Sequence, residues 1–163
     1  MSRAEPSIAD VALVRATAAD EMALNVFMRQ LREDDPDEGP YDEALCRPAM
    51  AALLGVPSLG RVWIIRAGSE TAGYVVLTLS YSVELGGRYA FIDELFVARE
   101  FRGKGVGSSV LQLVAAEARS LGVQALSLEV TRSNDVARRL YRRNGFVARG
   151  HELMTRRLHD EVE

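Results

Sequence analysis

Hydrophobic spacing along the chain changes period several times, and each change marks an element. Val11 to Arg15 forms a short apolar run that predicts a first strand. Thr17 then caps a helix, with Asp20 three residues on in the capping-box position, and Met22, Val26, Phe27 and Leu31 predict its buried stripe. Glu33, Asp34, Asp35, Asp37 and Glu38, interleaved with Pro36, Gly39 and Pro40, predict an acidic irregular loop. Helical spacing resumes from Tyr41 to Leu54, with Pro48 placed to kink or divide that segment, and Gly55, Pro57 and Gly60 end it. Arg61 to Ala67 and Gly73 to Ser82 read as strands of a hairpin across Gly68-Ser69-Glu70-Thr71. Glu84 to Arg88, with Gly86-Gly87, turns the chain into a further strand in which Phe91, Ile92, Leu95, Phe96 and Val97 are interrupted by Asp93 and Glu94.

From Val106 the period returns to that of a helix. Val110, Leu111, Val114, Ala118 and Leu121 share one face, and Gly122 supplies the positive-φ stop beyond the C-terminus. Ala125 to Val130 predicts a strand parallel to the previous one after a right-handed crossover. Ser133 or Asn134 caps the last helix, which runs to about Asn144 with Gly145 as terminator, and two short strands around Phe146 to Arg149 and Glu152 to Arg157 close the chain. The order β-α-α-β-β-β-α-β-α-β-β is an α+β fold: a mixed, mostly antiparallel sheet flanked by helices, with a central parallel strand pair. Its 163 residues suit one domain, residues 1–9 and 159–163 being loose ends.

The chemistry concentrates between the strand ending at Val97 and the helix starting at Val106. Gly103, Gly105 and Gly107 let a backbone approach a ligand closely, and they lead into a helix N-terminus whose N–H groups and dipole favour an anion. Arg102 and Lys104 add positive charge. A nucleotide-binding G-x-x-x-x-G-K-[ST] run is absent, and the dinucleotide pattern G-x-G-x-x-G fails because Ser108 stands at its third glycine. Glu129 stays in view as the ribose-binding acid that such a fold would use. The spacing R-x-x-G-x-G, from Arg102 through Gly105 to Gly107, resembles that of the GNAT superfamily of N-acetyltransferases, and the order of elements is similar to that family's over nearly the whole chain.

The resemblance implies a set of roles. The segment Arg102, Gly103, Lys104, Gly105, Val106, Gly107 and Ser108 would cradle the pyrophosphate of acetyl-CoA, a co-substrate. Main-chain groups of Leu95, Phe96 and Val97 would hold its pantetheine and polarise the thioester carbonyl, as acyl transfer requires. Tyr141, on one helical face with Asn134 and Ala137, would protonate the departing thiolate; a phenol of pKa ~10 holds its proton at neutral pH. Asn134 serves equally as a coenzyme contact and as a helix cap. Glu94 is a candidate general base for an ammonium of pKa ~10.4, with Asp93 its rival by a one-residue register shift and water a third choice. A salt-bridged strand residue is the plainer reading of Glu94, and a packed core aromatic that of Tyr141.

Composition narrows the partners. Hydrophobic content of 48%, charged content of 26% and a net charge of -3 fit a globular protein without general affinity for nucleic acid or anionic membrane. Cys46, the single cysteine, excludes an internal disulfide, and without a basic-then-apolar leader the expectation is a cytoplasmic protein. His151 and His159 suggest no metal site. The expected reaction moves an acetyl group from acetyl-CoA to a primary amine by direct attack in a ternary complex. The acidic loop favours a small cationic amine over a protein N-terminus or lysine. A non-catalytic acyl-CoA sensor and a dinucleotide-binding module remain alternatives, and a homodimer is an assembly that the resemblance implies.

Overall fold

The computed structural model describes residues 10–35 and 39–158. Its elements are β1 (Val11–Arg15), α1 (Glu21–Asp34), α2 (Glu43–Gly55), β2 (Gly60–Ala67), β3 (Glu70–Ser82), β4 (Gly87–Val97), α3 (Val106–Ser120), β5 (Ala125–Leu128) and α4 (Asp135–Arg143). They build a five-stranded sheet in the order β1-β2-β3-β4-β5. All neighbours are antiparallel except β4 and β5. Ala67 pairs with Glu70 across a tight turn at Gly68, whose φ of 61° is open to glycine without strain.

The core lies along the sheet. Val62, Ile65, Tyr74, Val75, Val76 and Leu77 are almost fully buried in β2 and β3, and Val110 and Val114 of α3 are equally buried. Helix α1 is seated by an aromatic group: the ring of Phe27 lies 6.1 Å from Tyr74 and 5.6 Å from Phe96. The expected capping box forms at Thr17 and Asp20, around a single 3-10 turn (Ala18–Asp20) that precedes α1. Leu24 and Met28 are buried, with Phe27 and Leu31 packed beside them, whereas Met22 is 82% exposed and Val26 is 50% exposed. Pro48 lies inside α2 without dividing it.

The two closing strands do not form among the described residues, which are irregular from 146 to 158. Gly150 turns at φ 71°, and Val147, Leu153, Met154 and Leu158 are exposed, so this segment buries little of its apolar surface against the sheet. The parallel pair, expected at the centre, therefore lies at one margin of the described sheet. No helix among the described residues is long and apolar enough to cross a membrane.

One irregularity in β4 governs the rest. Val76 pairs with Glu94 but Leu77 pairs with Ile92, so Asp93 is an extra residue in β4, a β-bulge. Pairing between β4 and β5 ends at the same place, with Ile92 opposite Leu128. Beyond it, among the described residues, β4 is paired with β3 alone, from Glu94 opposite Val76 to Val97 opposite Gly73. A Cβ added to Gly73 would lie 2.0 Å from the Phe96 carbonyl oxygen, and its φ of 150° disfavours any side chain. Gly73→Ala is expected to destabilise the protein by about 3 kcal/mol, read as a lowered midpoint in urea denaturation.

Candidate functional site

Parting the strands aims the β4 backbone. The Ala98 N–H donates to Ala72 at 2.8 Å, and the Phe96 carbonyl lies against Gly73, so both residues turn their main chain to β3. Alternation then turns Leu95 and Val97 into the gap left by β5. Phe96, expected to offer main-chain groups there, offers its ring to the core instead. The Val97 carbonyl accepts from Arg102 Nε at 2.7 Å. What faces the gap is the main chain of Leu95 and the N–H of Val97.

The glycine loop follows. After a 3-10 turn (Arg99–Phe101), Gly103 and Gly105 take φ values of 74° and 80°, and a Cβ at Gly103 would meet nothing within 4 Å. Gly105 caps α3 with no side chain accepting from the first N–H groups of that helix, so the N–H groups of Val106, Gly107 and Ser108 have no side-chain cap. Lys104 is exposed beside them. This open, uncapped, positively polarised end fits a diphosphate. Gly107 acts between helices instead. A Cβ there would lie 3.0 Å from Leu140, so the missing side chain lets α4 approach α3. Ser108 Oγ accepts from Asn144 Nδ2 at 3.1 Å and joins the same two helices.

Arg102 is placed otherwise than a phosphate ligand. Its guanidinium stacks 5.5 Å from the Phe96 ring centre, donates to Val97 and pairs with Asp34, which also accepts from Arg99. Burial pushes the Asp34 carboxyl up, but hydrogen bonds and charge from Arg102 and Arg99 outweigh it and hold that carboxyl below its ordinary value. The acidic run is thus partly regular: Glu33 and Asp34 form the last turn of α1, and Asp34 is compensated rather than facing a ligand. Pro36, Asp37 and Glu38 lie outside the described residues, as does His159.

Asn134 is the cap of α4, its Oδ1 accepting from the Ala137 N–H at 3.0 Å, which leaves its amide N–H₂ to donate. Tyr141 packs edge-on to Phe146 at 5.8 Å. Its hydroxyl bonds no described side chain, and burial raises its pKa, so it stays protonated at neutral pH. Glu129, beyond the end of β5, is exposed.

Glu94 sits on the α1 face of the sheet. Its Oε2 accepts from the Tyr74 hydroxyl at 2.8 Å and its Oε1 from Arg32 at 3.3 Å, and its side chain is 14% exposed. Burial raises the carboxyl above its ordinary range; the Tyr74 hydrogen bond and the Arg32 charge oppose this, and Asp93 adds to it. Asp93, the bulged residue, is exposed. Glu94 and Tyr141 share no hydrogen-bond partner. Sequence reasoning missed Tyr74 and Arg32; the signal for Tyr74 was a hydroxyl in the buried run Gly73-Tyr74-Val75-Val76-Leu77, which needs a polar partner.

Because the folded pKa of Glu94 lies above the unfolded value of about 4.5, the native state binds this proton more tightly than the unfolded chain. The contribution to stability is most favourable at acid pH and erodes as pH rises through the folded pKa. The stability of the wild type minus that of Glu94→Gln is therefore expected to be larger at about pH 4.5 than at about pH 8 in urea titrations.

Comparison with known proteins agrees with this geometry. The profile of the Acetyltransferase (GNAT) family matches residues 21–146. The thialysine N-epsilon-acetyltransferase of Bos taurus is 31% identical over 115 residues, 71% of this chain and 61% of that protein. The IAA acetyltransferase of Azospirillum brasilense is 31% identical over 98 residues, 60% of this chain and 64% of that protein. The chain thus spans about three fifths of the length of these relatives. Among solved structures, the integron cassette protein HFX_CASS3 from the mobile metagenome of Cole Harbour Salt Marsh superposes with a TM-score of 0.77 at 35% identity, covering 93% of this chain and 91% of that one. With its parted parallel strands, its glycine-lined helix start and a family match over most of its length, the chain belongs to the GNAT family of acetyltransferases.

Proposed function

We propose that this protein transfers an acetyl group from acetyl-CoA to the primary amine of a small molecule, by direct attack in a ternary complex. The observation that carries this reading is the parting of β4 from β5 beyond Ile92 and Leu128, beside the uncapped N-terminus of α3. Acetyl-CoA supplies the activated thioester. The N–H groups at the start of α3 and the charge of Lys104 bind the diphosphate, while Leu95 and Val97 align the pantetheine arm. An N–H from that edge of β4 faces the carbonyl oxygen as negative charge develops on it.

The proton movements balance. An acceptor ammonium loses its proton to Glu94, directly or through water, and the free amine attacks the carbonyl carbon. The adduct nitrogen, cationic after the attack, loses its second proton to solvent, the carbon–sulfur bond breaks, and Tyr141 gives its hydroxyl proton to the thiolate and is reprotonated from solvent. The raised pKa of Glu94 supports its role, because a stronger base accepts the proton more readily. The raised pKa of Tyr141 keeps the donor protonated at neutral pH. Relatives named for thialysine and for IAA support a small-molecule acceptor over a protein N-terminus or lysine.

The test is release of free thiol from acetyl-CoA with a panel of amines, beside thermal-shift measurements with acetyl-CoA and NAD. Stabilisation by acetyl-CoA and amine-dependent thiol release are expected. Stabilisation by NAD alone would favour the dinucleotide-binding alternative, and binding without release the sensor. Tyr141→Phe is expected to lower kcat roughly 100-fold while acetyl-CoA affinity, measured by calorimetry, stays within error. An unchanged kcat removes Tyr141 from the mechanism.

A further inference from the structure

The base proposed above rests on a buried phenol. Tyr74 lies in the apolar run of β3 with none of its surface exposed. Its ring forms a triangle with those of Phe27 and Phe96, the three centres being 6.1, 6.3 and 5.6 Å apart, and the Phe27 and Tyr74 planes differ by only 9°. Strand pairing sets Tyr74 opposite Phe96 and Val76 opposite Glu94, so Tyr74 and Glu94 are diagonal neighbours on one face of the sheet. The fixed ring thus aims its hydroxyl at Glu94 Oε2, which it reaches at 2.8 Å. The other oxygen, Oε1, meets Arg32 at 3.3 Å.

We infer that Tyr74 is a positioning residue for the transfer, and that by holding Oε2 it leaves Oε1 as the oxygen that takes the proton of the acceptor ammonium. The inference rests on the transferase reading and names the working atom of its base. When an N–H bond of the ammonium breaks, its electron pair stays on nitrogen and the new O–H bond forms at Oε1. Oε2 then remains a carbonyl-type acceptor, so the Tyr74 bond survives and the carboxyl gains and loses its proton without turning. A proton on Oε2 would instead set two hydrogens against each other across 2.8 Å. Access favours the same oxygen: the Arg32 side chain beside Oε1 is 23% exposed, against 0% for Tyr74. Tyr74 orients and does not relay, because burial and the Glu94 charge push its ionisation well above the ordinary tyrosine value. Among the described residues, the other titratable groups that interact with Glu94 are Arg32 of α1, Asp93 of β4, Cys46 of α2 and Tyr41 just before α2.

The experiment uses Tyr74→Phe, which removes the hydroxyl and keeps the ring, in the wild type and in Glu94→Gln, with amine-dependent thiol release as the readout. In the wild type the change is expected to lower kcat roughly 10-fold with KM for acetyl-CoA unchanged. It is also expected to move the acid limb of the kcat/KM profile to higher pH, because the charged carboxylate loses a donor that favours it. In Glu94→Gln the same change is expected to cost less than about twofold. An equal loss in both backgrounds, or an acid limb that stays in place, overturns the inference and leaves the transferase reading standing. If no amine releases thiol from the wild type, the transferase reading fails and takes the inference with it. Should Tyr74→Phe not fold, proton NMR of the wild type decides: a slowly exchanging Tyr74 hydroxyl proton on both sides of the Glu94 titration upholds the inference, and its loss when Glu94 is protonated overturns it.

Discussion

The structure depends on one inserted residue. Asp93 puts an extra position into β4 opposite the Val76–Leu77 pair of β3, and strand pairing with β5 stops one residue earlier, at Ile92. A regular β4 would continue its ladder along β5, and its main-chain groups would be consumed by sheet hydrogen bonds. The bulge bends the strand away while β3 keeps its hold through Gly73, where only a residue without Cβ allows the approach to Phe96. The same insertion sets the side-chain phase. Glu94 and Phe96 face α1, so the carboxylate meets Tyr74 and Arg32 and the ring joins Phe27.

Burying a carboxylate in such a place costs free energy unless its oxygens are engaged. Here each oxygen has one donor, a neutral hydroxyl on one and a guanidinium on the other. The burial effect nevertheless exceeds the help from these partners, and the carboxyl remains harder to ionise than an exposed one. That imbalance is what supports the role of base proposed for Glu94.

Much of this was legible in the chain, for reasons that can be traced residue by residue. The glycines announced themselves: Gly68, Gly105, Gly122 and Gly145 all take the positive φ that their turns require. Thr17 and Asp20 built their box, and Asn134 its cap, because capping is local chemistry. Errors arose where distant contacts decide. Met22 and Val26 lie on the outer face of α1, opposite the regular face of Leu24, Phe27, Met28 and Leu31 that packs on the sheet. Arg102 reads in sequence as a phosphate ligand, yet Asp34, far back along the chain, competes for its guanidinium. The residues after Phe146 have strand-like composition, but composition supplies no partner strand.

The end of α1 links the two halves of the site. Arg32 reaches Glu94, while Asp34, two residues on, grips Arg99 and Arg102 at the start of the glycine loop. Arg102 in turn caps the carbonyl of Val97, whose N–H faces the gap between the strands. One helical turn therefore sets the position of Glu94, the edge of β4 and the approach to α3 together. Direct transfer between two bound molecules requires the attacking atom and the carbonyl to be held within a fraction of an ångström of their reacting distance. The direct transfer proposed above would be served by ion pairs radiating from a single helix end, because a displacement of α1 moves Glu94 and the glycine loop in concert rather than apart.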